Sequence, residues 1–379
     1  MVEILRKLEE AGHETWCVGG AIRDALLGNT QQDVDLATAA PPEVVRQLFR
    51  RTAPVGLAHG TVGVLEENGT LHEVTTFRRD VQTDGRHAIV EFGVSLDDDL
   101  ARRDFTINAI AYHPLHRQWR DPFRGHDDLR RGVLRAVGEP AERFREDRLR
   151  ILRALRFTAR FALAIDPVTW AAAVDQAADT GHLSAERIRD EWVKGIGTAR
   201  SPEHLARLWR ASGVAAVWLP ELTDDPPAVA LPARPDPVLV TALFCTPCAA
   251  VWRRLKGSTA EIRRAEAIDR GPAAPASGDP RDVRRWMAQV DMAADDLAML
   301  AHWRGGDATT WPDEVERVRA RGEATSRGAL AVRGEDLLTA DIPAGPEVGM
   351  TLQRLLDRVV DDPSLNTRDQ LLALARQRA

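Results

Sequence analysis

Apolar residues recur with two different periods along this chain, and the period changes near residue 140. Before that point, short β-type runs alternate with helical ones. TWCVGG and DVDLAT read as strands, and AIRDALLG between them reads as a helix ended by Gly28. PPEVVRQLF reads as a helix with prolines at its start. GTVGVL and LHEVTTF read as strands joined by ENGT, whose Asn68-Gly69 pair is a strong hairpin signal. Beyond residue 140 the spacing is helical throughout, in EDRLRILRALRFTARF, AERIRDEWVKGI, PEHLARLWRASG, RDVRRWMAQV and GMTLQRLLDRVV. Breaks rich in proline, alanine and glycine at 224–237 and 271–280 mark inter-helix loops or subdomain joints. The pattern predicts an α+β N-terminal domain followed by a long all-α extension, with no regular internal repeat.

Composition narrows the class. A chain of 379 residues exceeds what one core usually holds, so two or more domains or an elongated array are expected. A hydrophobic share of 44% with 28% charged residues describes a globular chain rather than a disordered one. No apolar run approaches the ~20 residues of a membrane span. The opening MVEILRKLEEAGHETW is amphipathic and carries acids, unlike a signal peptide, so a cytoplasmic location is expected. Three cysteines, Cys17, Cys245 and Cys248, do not make a disulfide framework. CTPC has no second pair to complete a zinc site and reads as two helix-packed thiols.

The net charge of −6 argues against nucleic acid until its distribution is considered. Residues 101–160 carry fifteen arginines against eight acids, while the whole chain has only three lysines. A basic band in an acidic chain is a phosphate-binding surface in outline.

Candidate chemistry begins in GGAIRDALLGNTQQDVDLATAA, residues 19–40. Asp33 and Asp35 fall one strand period apart, so both carboxylates leave one face and can hold Mg²⁺ together with substrate phosphates. Gly19 and Gly20 let backbone approach a phosphate, and Arg23 on the following helix can bind it directly. A surface turn followed by a solvated Asp pair is the alternative. The run lacks GxGxxG spacing, so hydride transfer fits poorly. Glu73 is either a third carboxylate in the same cleft or a solvated strand residue. In DLARRDFTINAIAY, Arg103 can hold a triphosphate and Asn108 can bond sugar or phosphate. The alternative is an ion-paired helix start capped by Thr106 or Asp104.

REDRLRILRALRFTARF reads as a helix with Ile151, Leu152 and Leu155 on its apolar face. Asp147, Arg150 and Arg153 follow at three-residue steps on the other side. Asp147 can accept from an exocyclic amine while Arg150 donates to a ring nitrogen. Cytosine and adenine present that edge; uracil and guanine present the reverse, leaving buried groups unpaired. A surface i,i+3 salt bridge between the two is the alternative.

VGGAIRD…DVDL, RRDFTINA, DPFRGHDDLRRGVLRAVG and EDRLRILRALRF stand in the order of the class II tRNA nucleotidyltransferases, the CCA-adding enzymes, and the chain resembles that family over most of its length. AERIRDEWVKGI is similar to the family's next motif, and the C-terminal segment resembles the tail of bacterial members. The resemblance implies a polymerase β-like nucleotidyltransferase palm followed by an all-α neck, body and tail, with boundaries expected at 1–135, 136–200, 201–270 and 271–379. It implies metal binding by Asp33 and Asp35. It implies nucleotide contacts from Gly20, Arg23, Arg103, Asp147, Arg150, Arg153 and Arg156, and templating by protein rather than nucleic acid. The expected partners are CTP and/or ATP and a tRNA, held by its acceptor and TΨC arms. Bacterial poly(A) polymerases share the head but carry an arginine-rich stretch where this chain reads VGLAHGTVGVL, and no HD phosphohydrolase pattern follows. The segment DVQTDGRHAIVEF is shorter than the family's usual flexible loop and lacks its tyrosine and proline. That departure points to a CC-adding member, with A-adding or full CCA-adding left open. A non-catalytic tRNA-binding protein on the same scaffold would be expected to have lost the carboxylate pair or the Asp147–Arg150 pair, and both are present.

Overall fold

The protein is described by a computed structural model covering residues 1–29, 34–56, 59–83, 88–305 and 310–377. Asp33 therefore lies outside the described residues. Two compact units are present, Met1–Pro220 and Glu221–Ala379.

The first unit opens with helix α1 (Val2–Glu10), strand β1 (Thr15–Val18), α2 (Gly20–Leu26), β2 (Asp35–Thr38) and α3 (Pro42–Leu48). Strands β3 (Thr52–Gly56), β4 (Thr61–Leu65) and β5 (Leu71–Thr76) follow, then β6 (Arg78–Thr83), β7 (Ala88–Phe92) and α4 (Leu96–Ala101). β8 (Ala111–His113) and β9 (Gln118–Arg120) complete a seven-stranded sheet in the order β3-β4-β5-β2-β1-β8-β9. β2 and β5 are its parallel pair; the other described pairings in it are antiparallel.

All four residues of β1 are buried because both faces of the sheet are covered. Cys17 and Leu36 face one cluster, with Ile4, Leu5 and Leu8 of α1 and Val45 of α3. Trp16, Val18 and Ala37 face a second, with Leu96 and Leu100 of α4. The predicted hairpin forms: Glu66 N–H donates to Thr70 O at 2.9 Å, and Gly69 takes the left-handed conformation at φ 88.

One expectation changes here. The segment predicted as a shortened loop is largely an antiparallel ribbon, with Arg78 paired to Phe92 and Thr83 to Ala88. Its tip, 84–87, lies outside the described residues.

Helices then dominate: α5 (Gly125–Arg131), the short β10 (Val133–Leu134), α6 (Pro140–Glu146), α7 (Leu149–Phe161), β11 (Ala164–Ile165), α8 (Pro167–Asp175), α9 (Ala185–Thr198), α10 (Pro202–Ala211) and α11 (Val214–Trp218). Ile151, Leu152 and Leu155 are completely buried, as the helical period predicts. α7 packs on α9 and α10, where Trp192 and Trp209 meet edge to face at 5.0 Å. The predicted single helix across 145–161 is instead two. Asp147 adopts extended backbone (φ −145, ψ 104) between α6 and α7, and its Oδ1 accepts the Leu149 amide at 3.0 Å. An aspartate offers the chain this local turn in place of helix continuation.

The second unit is all α: α12 (Pro237–Phe244), α13 (Cys248–Arg254), α14 (Thr259–Arg270), α15 (Pro280–Val290), α16 (Ala294–Gly305), α17 (Trp311–Ala320), α18 (Gly334–Thr339), α19 (Pro346–Asp361) and α20 (Arg368–Arg376). Leu337, Leu355, Leu356, Val359 and Leu371 form one of its cores. Cys245 and Cys248 are free, buried thiols, and burial pushes both well above the ordinary thiol range. No helix among the described residues is long and apolar enough to cross a membrane.

Gly125 opens α5 directly against the turn that carries Asn108, and a Cβ there would run into the Thr106 carbonyl. Backbone cannot yield as a side chain does. Gly125→Ala is expected to cost about 1–3 kcal/mol, read as a fall of several degrees in the thermal midpoint.

Candidate active site

A cleft of about 590 Å³ in the first unit is lined by residues from five stretches of chain. Gly19, Gly20, Arg23 and Asp35 come from the palm. Arg102, Arg103, Asp104 and Asn108 come from the α4–β8 connection. Asp147, Leu149, Arg150, Arg153 and Phe157 come from α7 and the turn before it, and Arg187 comes from α9. Six of these residues are arginines and three are aspartates, so the wall favours a polyanion such as a triphosphate.

The glycine turn is sterically required. Gly19 has φ 78 and ψ −140, a region closed to side chains. A Cβ on it would stand 3.0 Å from Arg103 Nη1 and 3.7 Å from Asp35 Oδ2. Arg103 and Asp35 thus flank bare backbone, which leaves room for a phosphate to approach. Asp35 is exposed at the start of β2. The register that pairs Leu36 with Val74 carries Asp35 to the level of Glu73, so both carboxylates leave the same side of the sheet. Glu73 itself is exposed on β5 and is not among the side chains lining the cleft.

Behind the turn runs a chain of charged groups. Arg23 is 4% exposed, and its Nε donates to Asp24 at 2.8 Å and its Nη1 to Asn108 Oδ1 at 2.5 Å. It also lies 4.5 Å from the Phe161 ring centre. Burial lowers its pKa, partly offset by the Asp24 charge. Each of its nitrogens has a protein partner, so Arg23 braces the turn while still lining the cleft. Asn108 Nδ2 donates to Asp104 Oδ1 at 2.9 Å, and Asp104 Oδ2 accepts from Arg153 at 2.6 and 2.7 Å. Burial alone would raise the Asp104 pKa, but Arg153 and Asn108 outweigh it and hold the carboxyl below its ordinary range. Arg153 responds in kind: burial opposes its charge, yet Asp104 raises its pKa. Asp24 also receives Arg160 of α7 at 3.2 Å.

Arg102 and Arg103 share the buried Asp99, at 2.8 and 3.1 Å. The Asp99 carboxyl is lowered too, both arginines overcoming its burial. Asp at i with Arg at i+3 and i+4 in DLARR is a helical charge pattern that the sequence reading did not single out.

At the other end of the cleft, the Arg150 amide donates to the Asp147 carbonyl at 3.0 Å, but among the described contacts the two side chains are held by other partners. Asp147 receives Arg187 at 3.1 Å. Arg150 donates to Glu146 at 2.7 Å, to the Arg143 carbonyl at 3.2 Å and to the Arg102 carbonyl at 2.9 Å. The simple i,i+3 salt bridge is thus not what forms. Arg156 departs from expectation as well. It is not on the cleft wall but is buried against Glu191 of α9 at 2.6 Å, because it lies one helical sector away from Arg153. The sequence assigned no cleft role to Arg102, Arg187 or Phe157, and gave Asp104 only as a helix cap.

Among the described residues, one group of three His, Cys, Asp or Glu side chains stands close enough to share an ion: Glu9, His113 and His116. His113 Nε2 lies 2.6 Å from Glu9, and its Nδ1 accepts the His116 amide at 3.2 Å. Nε2 thereby ties α1 to β8 and Nδ1 holds the turn that follows it, and these residues do not line the cleft.

A palm sheet carrying an exposed carboxylate beside a glycine turn, with an arginine-lined cleft, defines a nucleotidyltransferase. Two family models agree: the Poly A polymerase head domain matches residues 15–135, and the probable RNA and SrmB-binding site of polymerase A matches 162–225. A CCA-adding enzyme of Lacticaseibacillus paracasei is 33% identical over 99% of this chain and 95% of its own. One from Geobacillus stearothermophilus is 33% identical over 99% and 96%. The Bacillus stearothermophilus CCA-adding enzyme in complex with CTP superimposes at TM-score 0.79, with 31% identity over 99% of this chain and 96% of that one. The Thermotoga maritima CCA-adding enzyme complexed with tRNA shares the fold at TM-score 0.69 and 19% identity. The chain belongs to the CCA-adding enzyme family of tRNA nucleotidyltransferases.

Asp104 carries the most exposed consequence of this wiring. Asp104→Asn leaves Arg153 without its buried counter-charge and, because the Arg153 side chain is 34% exposed, is expected to cost about 1–3 kcal/mol at pH 7, less than a fully buried pair. The lowered Asp104 and Asp99 carboxyls contribute stability that is complete above the ordinary aspartate value of about 3.9 and is lost as pH falls through their native values. Urea unfolding at pH 7 and in steps below pH 4 should show the wild type losing more stability on acidification than Asp104→Asn.

Proposed function

We propose that this enzyme transfers CMP and AMP from CTP and ATP to the 3′ end of tRNA, releasing pyrophosphate, and so builds or repairs the CCA terminus. The observation that carries the reading is the separation of roles along one cleft. Bare glycine backbone, Arg103 and Asp35 stand at one end, and Asp147 and Arg150 stand at the other, each held by partners other than the other.

In this reading Asp33 and Asp35 hold Mg²⁺, with Glu73 beside them. The carboxylate of Asp35, exposed next to the glycine turn, is a donor of the kind a hard cation takes. Bound there, the ion supplies charge to the triphosphate and acidity to the attacking hydroxyl. Gly19 and Gly20 amides with Arg103 place the phosphates, and Arg23 and Asn108 stiffen that cradle from below. Asp147 accepts the amine of cytosine or adenine and Arg150 donates to the adjacent ring nitrogen. Uracil or guanine would leave both unpaired. Arg153 anchors the selecting helix to the palm, and Arg156 braces it on α9. The head, neck, body and tail are assigned to 1–135, 136–200, 201–270 and 271–379, with the helical tail holding the tRNA acceptor and TΨC arms by shape.

A narrower activity, addition ending at CC, is favoured by the shortness of the DVQTDGRHAIVEF segment, residues 80–92. The relatives matched over the full length, by contrast, carry the CCA-adding name. Transcripts ending before the first C, after one C and after CC, offered CTP and ATP singly and together, separate these. Completion to CCA supports the full activity, a stop after CC the narrower one, and addition of A only to the CC end an A-adding enzyme.

Asp33→Ala with Asp35→Ala should lower transfer by roughly 10³-fold or more while leaving tRNA binding intact. Near-normal turnover in that double variant would remove the metal assignment.

A further inference from the structure

An aromatic ring interrupts the charged stripe of α7. Arg150, Arg153 and Phe157 follow at steps of three and four, so all three fall on the cleft side of the helix, and Phe157 is buried in the cleft wall. Three guanidinium groups converge on this one ring. Their Cζ atoms lie 4.4 Å (Arg156), 5.1 Å (Arg153) and 5.2 Å (Arg23) from its centre. Phe105 meets the ring edge to face at 5.8 Å, and Phe161 stacks with it at 6.0 Å. Each arginine has a carboxylate of its own: Asp24 for Arg23, Asp104 for Arg153 and Glu191 for Arg156. Those pairs balance the charge, yet they leave three cations gathered about one point, and the electron-rich ring is what stands between them.

We propose that Phe157 is a positioning residue for the triphosphate: the attraction of its ring for cations, rather than its volume, holds Arg23 against the glycine turn and Arg153 beside Asp104. The inference rests on the reading of this cleft as a nucleotide site given above. Arg23 is the link to the turn. A Cβ on Gly20 would stand 3.4 Å from Arg23 Nη2, so the guanidinium lies directly against that residue's backbone. Burial disfavours the Arg23 charge, and the faces of Phe157 and Phe161 join Asp24 in offsetting that cost. A ring that attracts cations less strongly lets Arg23 settle elsewhere, and the turn loses its brace. The incoming phosphates must then order the cradle themselves, which costs affinity. Leucine fills much of the same volume but offers no such face, so packing alone does not call for an aromatic residue here. The phosphates are common to every nucleotide. The effect is therefore equal for CTP and ATP and extends to pyrophosphate, which has no base at all.

Fluorine withdraws electron density from a ring while changing its shape little, so a fluorination series separates attraction for cations from packing. The test uses the full-length enzyme with mono-, di- or trifluorophenylalanine placed at position 157, and measures equilibrium binding of CTP, ATP and pyrophosphate in Mg²⁺ buffer without tRNA. Each added fluorine should raise all three dissociation constants, to about tenfold for the trifluoro ring, as expected for a desolvated cation–π contact. Phe157→Leu should raise them at least as far. A ring that serves packing alone would leave all three constants at the wild-type value across the fluorinated series, whatever happens to the thermal midpoint, and that result overturns the proposal. A rise for CTP without the same rise for pyrophosphate also overturns it, because the effect would then lie with the base. A wild-type enzyme that binds neither CTP nor pyrophosphate removes the nucleotide reading itself, and the role of Phe157 with it. Should Phe157→Leu not fold, the fluorinated series alone decides.

Discussion

A single buried carboxylate, Asp104, ties the palm to α7, the helix that faces the cleft. It accepts from Arg153 of α7 on one oxygen and from Asn108 and the Phe105 amide on the other. Asn108 in turn receives Arg23, which is paired with Asp24, and Asp24 receives Arg160, again from α7. The chain of contacts thus begins and ends on one helix and passes through the glycine-turn helix on the way. Removing such a charge from water is expensive, and a buried pair of this kind rarely gains much stability over an apolar one. What it fixes is spacing. The glycine-turn end and the α7 end of the cleft cannot drift apart without breaking a charged bond in a medium where breaking it is costly.

The same logic runs through the cleft's arginines. Arg102 and Arg103 share Asp99, Arg150 is held by Glu146 and two carbonyls, and Arg187 is held by Asp147. Charged groups with fixed partners are already oriented, so little ordering is left to be done when a nucleotide arrives. The proposed choice of base by side chains alone depends on that, because a flexible donor or acceptor would accommodate the wrong edge.

Much of this was legible in the residues. Period alone located β1, β2, β4 and β5, the hairpin at Asn68-Gly69, and the buried face of Ile151, Leu152 and Leu155. The glycine turn and the exposed Asp35 were legible because each meets a local demand that few other residues satisfy. What was not legible depends on distance along the chain. Arg153 meets Asp104 forty-nine residues away and Arg187 meets Asp147 forty residues away, and no local spacing encodes either. Arg156 was misplaced for a different reason. It is three residues from Arg153 on a continuous polar side, and the helical period does not say which sector of that side faces a cleft and which faces α9. The break at Asp147 was hidden because the charged run EDRLR is compatible with helix on both sides of it. Asp35 stands beside the glycine turn and Asp33 lies outside the described residues, and the metal site as a whole is a proposal.

The central claim is that protein side chains, without a nucleic-acid template, choose the nucleotide. Equilibrium binding of CTP, ATP, UTP and GTP to the enzyme with no tRNA present tests it most directly. The account predicts that CTP and ATP bind more tightly than UTP and GTP by roughly 10–100-fold, the cost of leaving Asp147 and Arg150 unpaired, and that Asp147→Asn erases the difference. Equal affinity for all four nucleotides, or a preference that appears only when tRNA is added, would contradict it.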